Sequence, residues 1–473
     1  MEMESDIKMT KSNQYFPVEI LLFIFSFLDL VQQGLIRSVC KNWSSLIKPN
    51  PKIMKKAIRY FCLLGDLNCA KYAFENKCGM HMDQFTIDTI TQNGFIDILK
   101  FIKLNSKFMS THHICQIAAE NGHFAILQWA KSQGYRCDRY SCHAAAKAGD
   151  LTILQWLRSK GCHWNENTCS AAAKMGHLEV LEYLRSKNCP WNAFTCLEAA
   201  TGGHLEVLQW ARLNGCPWDE STCSRAASMG HLEVLQWAKS NGCPWDVFTC
   251  LEAAKFGHLA VLQWAKLNGC PWDDKFICKM AAKYGRLEVF QWARTSGCQW
   301  SAKTCKMAAK YGHLEVLQWA RTNGCPWNKS TCEMAVKAGR LDILQWARLN
   351  GCPLYHFTCD HEAEAGYLEI LQWIKTNDTD CPWDDEQIWL NAAEGGHLHI
   401  LQWAQKNNYL WKNESICFAA IEYEHIHILK WAIAYDCPWN EQKCLRMIER
   451  KVCRNQNFKE QFTEWHKKYL LNK

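Results

Sequence analysis

The chain has 473 residues, 48% of them hydrophobic, and a formal net charge of +7 from 54 Lys and Arg against 47 Asp and Glu. That near-balance argues against a nucleic-acid groove, which segregates its basic residues more strongly. The 28 Cys have no convincing export leader before them, which points to reduced thiols in an intracellular, cytoplasmic protein rather than a secreted disulfide scaffold.

Residues 1–13 are polar and expected to be disordered. From Tyr15 the composition changes. Pro17 suits the first turn of a helix and Glu19 the positive end of its dipole. Ile20, Leu21, Phe23, Ile24, Phe25, Phe27 and Leu28 then make a segment that is apolar nearly all round, too short to cross a bilayer. Leu35, Ile36, Val39, Trp43 and Leu46 can cover part of it, and the remainder is a candidate partner surface. The competing reading is an N-terminal cap, but a cap becomes more polar outward, not less.

Phe16, Pro17, Glu19, Ile20, Leu21, Ile24, Phe25, Leu28, Val39, Cys40, Trp43 and Leu46 stand in the order and spacing of an F-box, which residues 14–50 resemble. Phe16 replaces the usual leucine. The resemblance implies docking on the Skp-type adaptor of a cullin ubiquitin ligase. Phe16, Pro17, Ile20, Leu21, Ile24, Phe25 and Leu28 would face the adaptor. Val39, Cys40 and Trp43 would sit at the far side of the module.

From residue 51 one phrase organises the chain. It reads G-H-L-E-V-L-Q-W-A-R-L-N-G-C-P-W from Gly203 to Trp218, and its Q-W tryptophan recurs at Trp210, Trp237 and Trp264, a step of 27 residues. Of the 24 Trp, eleven occupy the Q-W slot and ten the C-P-W slot, so tryptophan is architectural here. A period of this length marks a solenoid of units that bury their apolar faces only by stacking. The stretch 222–229 is Ala-rich, with Thr222 expected to cap its start, and Gly230 ends it with a left-handed backbone. Leu232, Val234, Leu235 and Ala238 predict a second helix, closed by Asn241-Gly242 and a turn at Pro244. This predicts an all-α chain of about 14 helix pairs over 51–453 and a C-terminal capping helix over 454–473. Glu424, where Gly is expected, should strain or reshape its turn.

Thr222, Ala226, Ala227, Gly230, His231, Leu232, Glu233 and Val234 match the ankyrin repeat one for one, and the unit resembles it. An ankyrin unit is longer, about 33 residues, so the resemblance implies ankyrin-like helix pairs with reduced or absent β-hairpin fingers. A short C-P-W unit behind an F-box resembles the F-box/ankyrin families encoded by giant DNA viruses, which would place the protein in a host cytoplasm.

The Cys recur seven apart, as at Cys216/Cys223, with no C-x-x-C, which favours small buried core residues over zinc. His204, His231, His258 and His313 follow the glycine and are expected to hydrogen-bond the interhelix turn. Lys131, Arg212, Lys239, Lys266, Arg294, Arg321 and Arg348 are expected to form a solvated stripe, offset by Glu179, Glu206, Glu233, Glu288 and Glu315. No nucleophile, phosphate-loop or dinucleotide motif is present, so no catalytic residue, metal or cofactor is expected. The positions that vary between copied units are Asp219, Glu220, Ser224 and Arg225; Asp246, Val247, Leu251 and Glu252; and Asp273, Asp274, Lys279 and Met280. These make a candidate target-binding edge. The expected function is a monomeric substrate-recognition adaptor of an SCF-type ubiquitin ligase that binds a target protein, with no membrane and no nucleic acid. The alternatives are a binding scaffold or adaptor-sequestering decoy, and behind those a nucleic-acid-binding solenoid.

Overall fold

A computed structural model describes residues 62–68, 70–71, 83–105, 113–353, 363–377, 385–408, 414–449 and 456–471. The F-box positions, Phe16 to Trp43, lie outside the described residues. Within them every regular element is helical and no strand occurs. The chain divides into two compact units, Met1–Ala226 with Glu233–Pro244, and Ala227–Leu232 with Trp245–Lys473.

Each repeat is a pair of short antiparallel helices, for example Ala193–Gly202 with Leu205–Leu213 and Val247–Phe256 with Leu259–Leu267. The first helix starts because an Asp, Asn or Ser side chain holds its orphan amides. Asp246 accepts from Phe248 N at 3.0 Å, and Asp219 accepts from Ser221 N at 3.0 Å. Thr222 is therefore not the cap, contrary to the expectation from its hydroxyl. It sits one turn inside the helix Glu220–Met229, fully buried. The carboxylate three residues earlier reaches the free amides first.

The first helix ends on a glycine in the left-handed region, Gly230 at φ 79° and Gly257 at φ 90°. At Glu424 the turn is kept rather than reshaped. Glu424 itself takes φ 65°, and His425 N still bonds Ala420 O at 2.7 Å. Side chains disfavour that backbone by roughly 1–2 kcal/mol, so the expected strain is carried by one residue. The chain then turns at Gly242 (φ 82°) or its counterparts into the next pair, and no hairpin finger is present there.

The core is made of small residues. Cys250, Ala253 and Ala254 of one helix and Leu262 and Ala265 of its mate are fully buried. Such residues let helices of nine or ten residues pack backbone-close at interior density. The tryptophans do not share that core. Among the described residues only Trp389 and Trp431 are buried, and the repeating tryptophans are half-buried along the flank. An indole is too large for the alanine-lined seam between helices.

The last elements are the helices Glu441–Glu449 and Gln456–Leu471. Phe458 and Phe462 of the final helix are buried. Tyr469 meets Trp439 edge-on at 5.7 Å, and His466 Nε2 lies 2.8 Å from Glu441 Oε1.

Candidate functional site

A surface that reads a partner must consist of residues the fold does not already use, and most of the repeated side chains are used. The histidine after the glycine is structural. His258 Nε2 donates to the carbonyl of Ser228 at 3.0 Å, and His313 Nε2 donates to Lys283 O at 3.0 Å. Those acceptors lie in the last turn of the preceding pair's first helix, where carbonyls have no intrahelical donor. The expectation of a bond to the residue's own interhelix turn is thus corrected to a bond between successive pairs. The ring also covers the preceding glycine: a Cβ on Gly230 would stand 2.6 Å from His258 Nδ1. Arg286 substitutes because its Nε makes the same bond, to Lys255 O at 3.0 Å. Burial, with Arg340 and Arg286 nearby, holds the His313 imidazole below its ordinary pKa, and burial does the same at His397.

The basic residue two places after the Q-W tryptophan is also structural. The Arg212 guanidinium lies 4.1 Å from the Trp218 ring centre and donates to Cys216 O at 2.6 Å. Arg321 does the same, 4.2 Å from Trp327 and 2.8 Å from Cys325 O. The indole so covered meets the Q-W indole of the next pair edge-on, Trp218 to Trp237 at 5.9 Å and Trp327 to Trp346 at 5.7 Å. Edge-to-face pairs and cation–π contacts each contribute about 0.5–1.5 kcal/mol, so the row of cations staples the turns. This corrects the solvated-stripe reading for Arg212, Lys266, Arg294 and Arg321. The facing Glu179, Glu206, Glu233, Glu288 and Glu315 are exposed as expected.

The 22 described cysteines are all buried. Across a pair, Cys196 in a first helix faces Cys216 after the second, 20 positions on, and Cys137 Sγ lies 3.1 Å from Cys115 Sγ, 22 positions away. The Cys216 thiol also donates to Asn192 O at 3.4 Å, closing the pair on itself. The Cys216 sulfur and burial push the Cys196 thiol up, and burial pushes Cys62 and Cys444 up to about 12. Among the described residues no group of His, Cys, Asp and Glu is arranged to hold a metal ion, and no helix is long and apolar enough to cross a membrane.

The candidate target edge divides in the same way. Asp219, Asp246 and Asp273 are helix caps, so the fold claims them. Asp274 is held by the Trp272 indole N–H and the Cys298 thiol. Glu252 pairs with Lys255 at 3.1 Å, and Lys279 lies over Phe276 at 5.5 Å. Within the first compact unit Glu220 and Arg225 are exposed and Ser224 is half-buried, its Oγ turned to Glu220 O at 3.1 Å. Within the second, Val247, Leu251 and Met280 are half-buried.

Sequence reasoning missed the exposed aromatics two residues past the cap, Tyr140, Phe194 and Phe248, at 52%, 60% and 58% exposure. A signal for them exists in the sequence: an aromatic there is apolar, yet it falls outside the buried periodicity of its helix. In the first unit Phe194 lines a groove of about 480 Å³ with His143, Asn167 and Met175.

Residues 15–54 match the F-box domain family. Among solved structures, the human ASB11 ankyrin repeat domain is similar at 19% identity and a TM-score of 0.34, covering 40% of this chain and 99% of that one. The pentatricopeptide repeat protein PPR10, solved with an 18-nt psaJ RNA element, is similar at 12% identity and a TM-score of 0.35, covering 89% of this chain and 68% of that one. Neither likeness bears on what this chain binds. No curated protein matches the chain.

Proposed function

We propose that this chain is a non-catalytic substrate receptor: its F-box docks the Skp-type adaptor of a cullin ubiquitin ligase, and its helix-pair array holds a target protein beside that ligase. The observation that carries the reading is the F-box match at residues 15–54, continuous with an array whose repeated polar side chains are spent on its own architecture. Tethering is the mechanism: a target held on the same chain as the ligase contact meets the transfer site at high effective concentration. The chain acts as a single copy in the cytoplasm, and the short C-P-W unit behind an F-box favours a giant-virus origin. The adaptor-facing residues are Phe16, Pro17, Ile20, Leu21, Ile24, Phe25 and Leu28, with Val39, Cys40 and Trp43 behind them. Target contacts draw on exposed first-helix positions such as Glu220 and Arg225.

The test is a pull-down on purified Skp-type adaptor, comparing the full chain with an Ile24→Asp/Phe25→Asp variant of matched circular dichroism. Capture lost only in the variant is the expected result. Capture by neither overturns the adaptor reading and leaves a binding scaffold. If the intact chain captures adaptor but never promotes ubiquitin transfer to a bound protein, the chain sequesters the adaptor instead.

A further inference from the structure

The repeat is its own reference, and its departures show where the fold has given something up. Proline fills the turn at Pro190, Pro217, Pro244 and Pro271, but Arg136 and His163 stand there in two consecutive earlier turns. Lys160 stands where Asn214, Asn241 and Asn268 each fold Nδ2 back onto a helix carbonyl at 2.8 Å. Each replacement removes a structural device and adds a nitrogen donor. All three line one cleft of about 640 Å³ in the first compact unit, which Lys131 and Arg139 also line. The acid lining this cleft is Asp138, its carboxylate occupied by the amides of Tyr140 and Ser141 at 3.0 and 3.4 Å, while Arg139 is turned to Tyr140 and donates to its phenol oxygen at 3.1 Å.

Arg139 and Tyr140 also line the next cleft, of about 490 Å³, with His143, Asn167 and the acid Glu166, which acts on Arg139. His143 and Asn167 in turn line the 480 Å³ groove at Met175 and Phe194. The three adjoin along these shared walls as one run of clefts. Its far end is different in kind. Lys147 and Lys174 there are paired with Glu120 at 2.7 Å and Glu198 at 3.1 Å, so what remains open is the apolar surface of Met175 and Phe194, 45% and 60% exposed.

We propose that this run of clefts binds an extended acidic peptide segment of the target, its carboxylates at Arg136 and Lys160 and an apolar side chain against Met175 and Phe194. Charge complementarity selects the occupant: five basic side chains meet one occupied carboxylate at one end only. A nucleic-acid strand carries a phosphate every ~3.4 Å and would need cations along the whole run, whereas those at the far end are neutralised. The proposal rests on the target-capture reading above and names the chemistry of the target.

Fluorescence anisotropy on the full chain tests it. The probe is a fluorescein-labelled peptide with a run of glutamates followed by Leu and Phe, compared with its glutamine counterpart and a labelled oligothymidylate. The variants Arg136→Glu/Lys160→Glu and Phe194→Ala alter exposed side chains, and circular dichroism checks that both stay folded. The expected result is binding of the glutamate peptide that weakens with salt, falls about tenfold or more on charge reversal and falls several-fold in Phe194→Ala. Equal binding of the glutamine peptide, or no effect of charge reversal, overturns the proposal. So does tighter binding of the oligothymidylate that the same reversal abolishes, which would make the cleft a nucleic-acid site. The adaptor pull-down is run on the same preparation. Adaptor capture without peptide binding overturns the cleft proposal and leaves the receptor reading, while peptide binding without adaptor capture does the reverse.

Discussion

Replacing Gly230 by alanine separates two demands that the repeat places on its glycines. The first is backbone: Gly230 sits at φ 79°, where an L side chain costs roughly 1–2 kcal/mol. The second is space. The new Cβ would stand 2.6 Å from His258 Nδ1 and 2.8 Å from Cε1, so the ring must leave. Its bond to Ser228 O then breaks, which removes about 0.5–1.5 kcal/mol. The sum is about 1.5–3.5 kcal/mol. Gly269 is the control: it has φ 77° but nothing within 4 Å of its Cβ, so Gly269→Ala should cost only the backbone term of about 1–2 kcal/mol. A repeat array opens locally, so hydrogen exchange of the altered pair is the right assay rather than a global melt. Exchange of the 228–262 amides should accelerate several-fold to tenfold more in Gly230→Ala than exchange around Gly269 does in its own variant, each 1.4 kcal/mol being a factor of ten. Adding His258→Ala to Gly230→Ala should cost little more, since the ring's bond is already gone. Equal effects of the two glycine variants, or fully additive costs in the double variant, would refute the idea that the ring over the glycine couples neighbouring pairs.

Three further outcomes follow from the same geometry. Glu424→Gly should stabilise its turn by about 1 kcal/mol, because it relieves a side chain held at φ 65°; slower local exchange checks it. Arg321→Lys should keep a cation over Trp327, as Lys266 does over Trp272 at 4.4 Å, but lose the bond to Cys325 O, at about 1 kcal/mol, with Arg321→Ala worse; identical exchange in the two variants would contradict this. His313 and His397 have pKa values lowered by burial, so the unfolded chain takes up their protons first. Their contribution is complete above the ordinary histidine value of about 6.5 and is lost as pH falls through their lowered values. Denaturant midpoints should therefore drop between neutral pH and about pH 5, and less so in a His313→Arg variant, which copies the residue that Arg286 supplies at the same place in the preceding pair.

The staples also explain why the target surface is hard to find by variation alone. Asp219, Asp246 and Asp273 differ little because each caps a helix, and Asp274 differs from its counterparts because it holds Trp272 and Cys298. Variation between units therefore mixes local repair with recognition. The basic cleft stands apart because Arg136, His163 and Lys160, each in the place of a structural device, put basic side chains into one cleft.

Much of the fold is set by local chemistry and is legible along the chain. The 27-residue period, the left-handed glycines and the apolar stripe of the second helix follow from interactions within a few residues of one another; the cap is local too, but Asp219 holds it in place of the expected Thr222. The F-box likeness is legible for the same reason, being a contiguous pattern over residues 15–54. What the tertiary structure decided lies between pairs. That His258 bonds Ser228 rather than its own turn, and that Trp218 meets Trp237 edge-on, are contacts whose partners are set by how one helix pair leans on another. A period says that units stack but not which atoms meet, because the register and tilt of the stack depend on side-chain volumes summed over both faces. The run of clefts from Arg136 to Phe194 is of the same kind: with Lys131 its residues come from four successive pairs, and only packing brings their charge and apolar surface side by side.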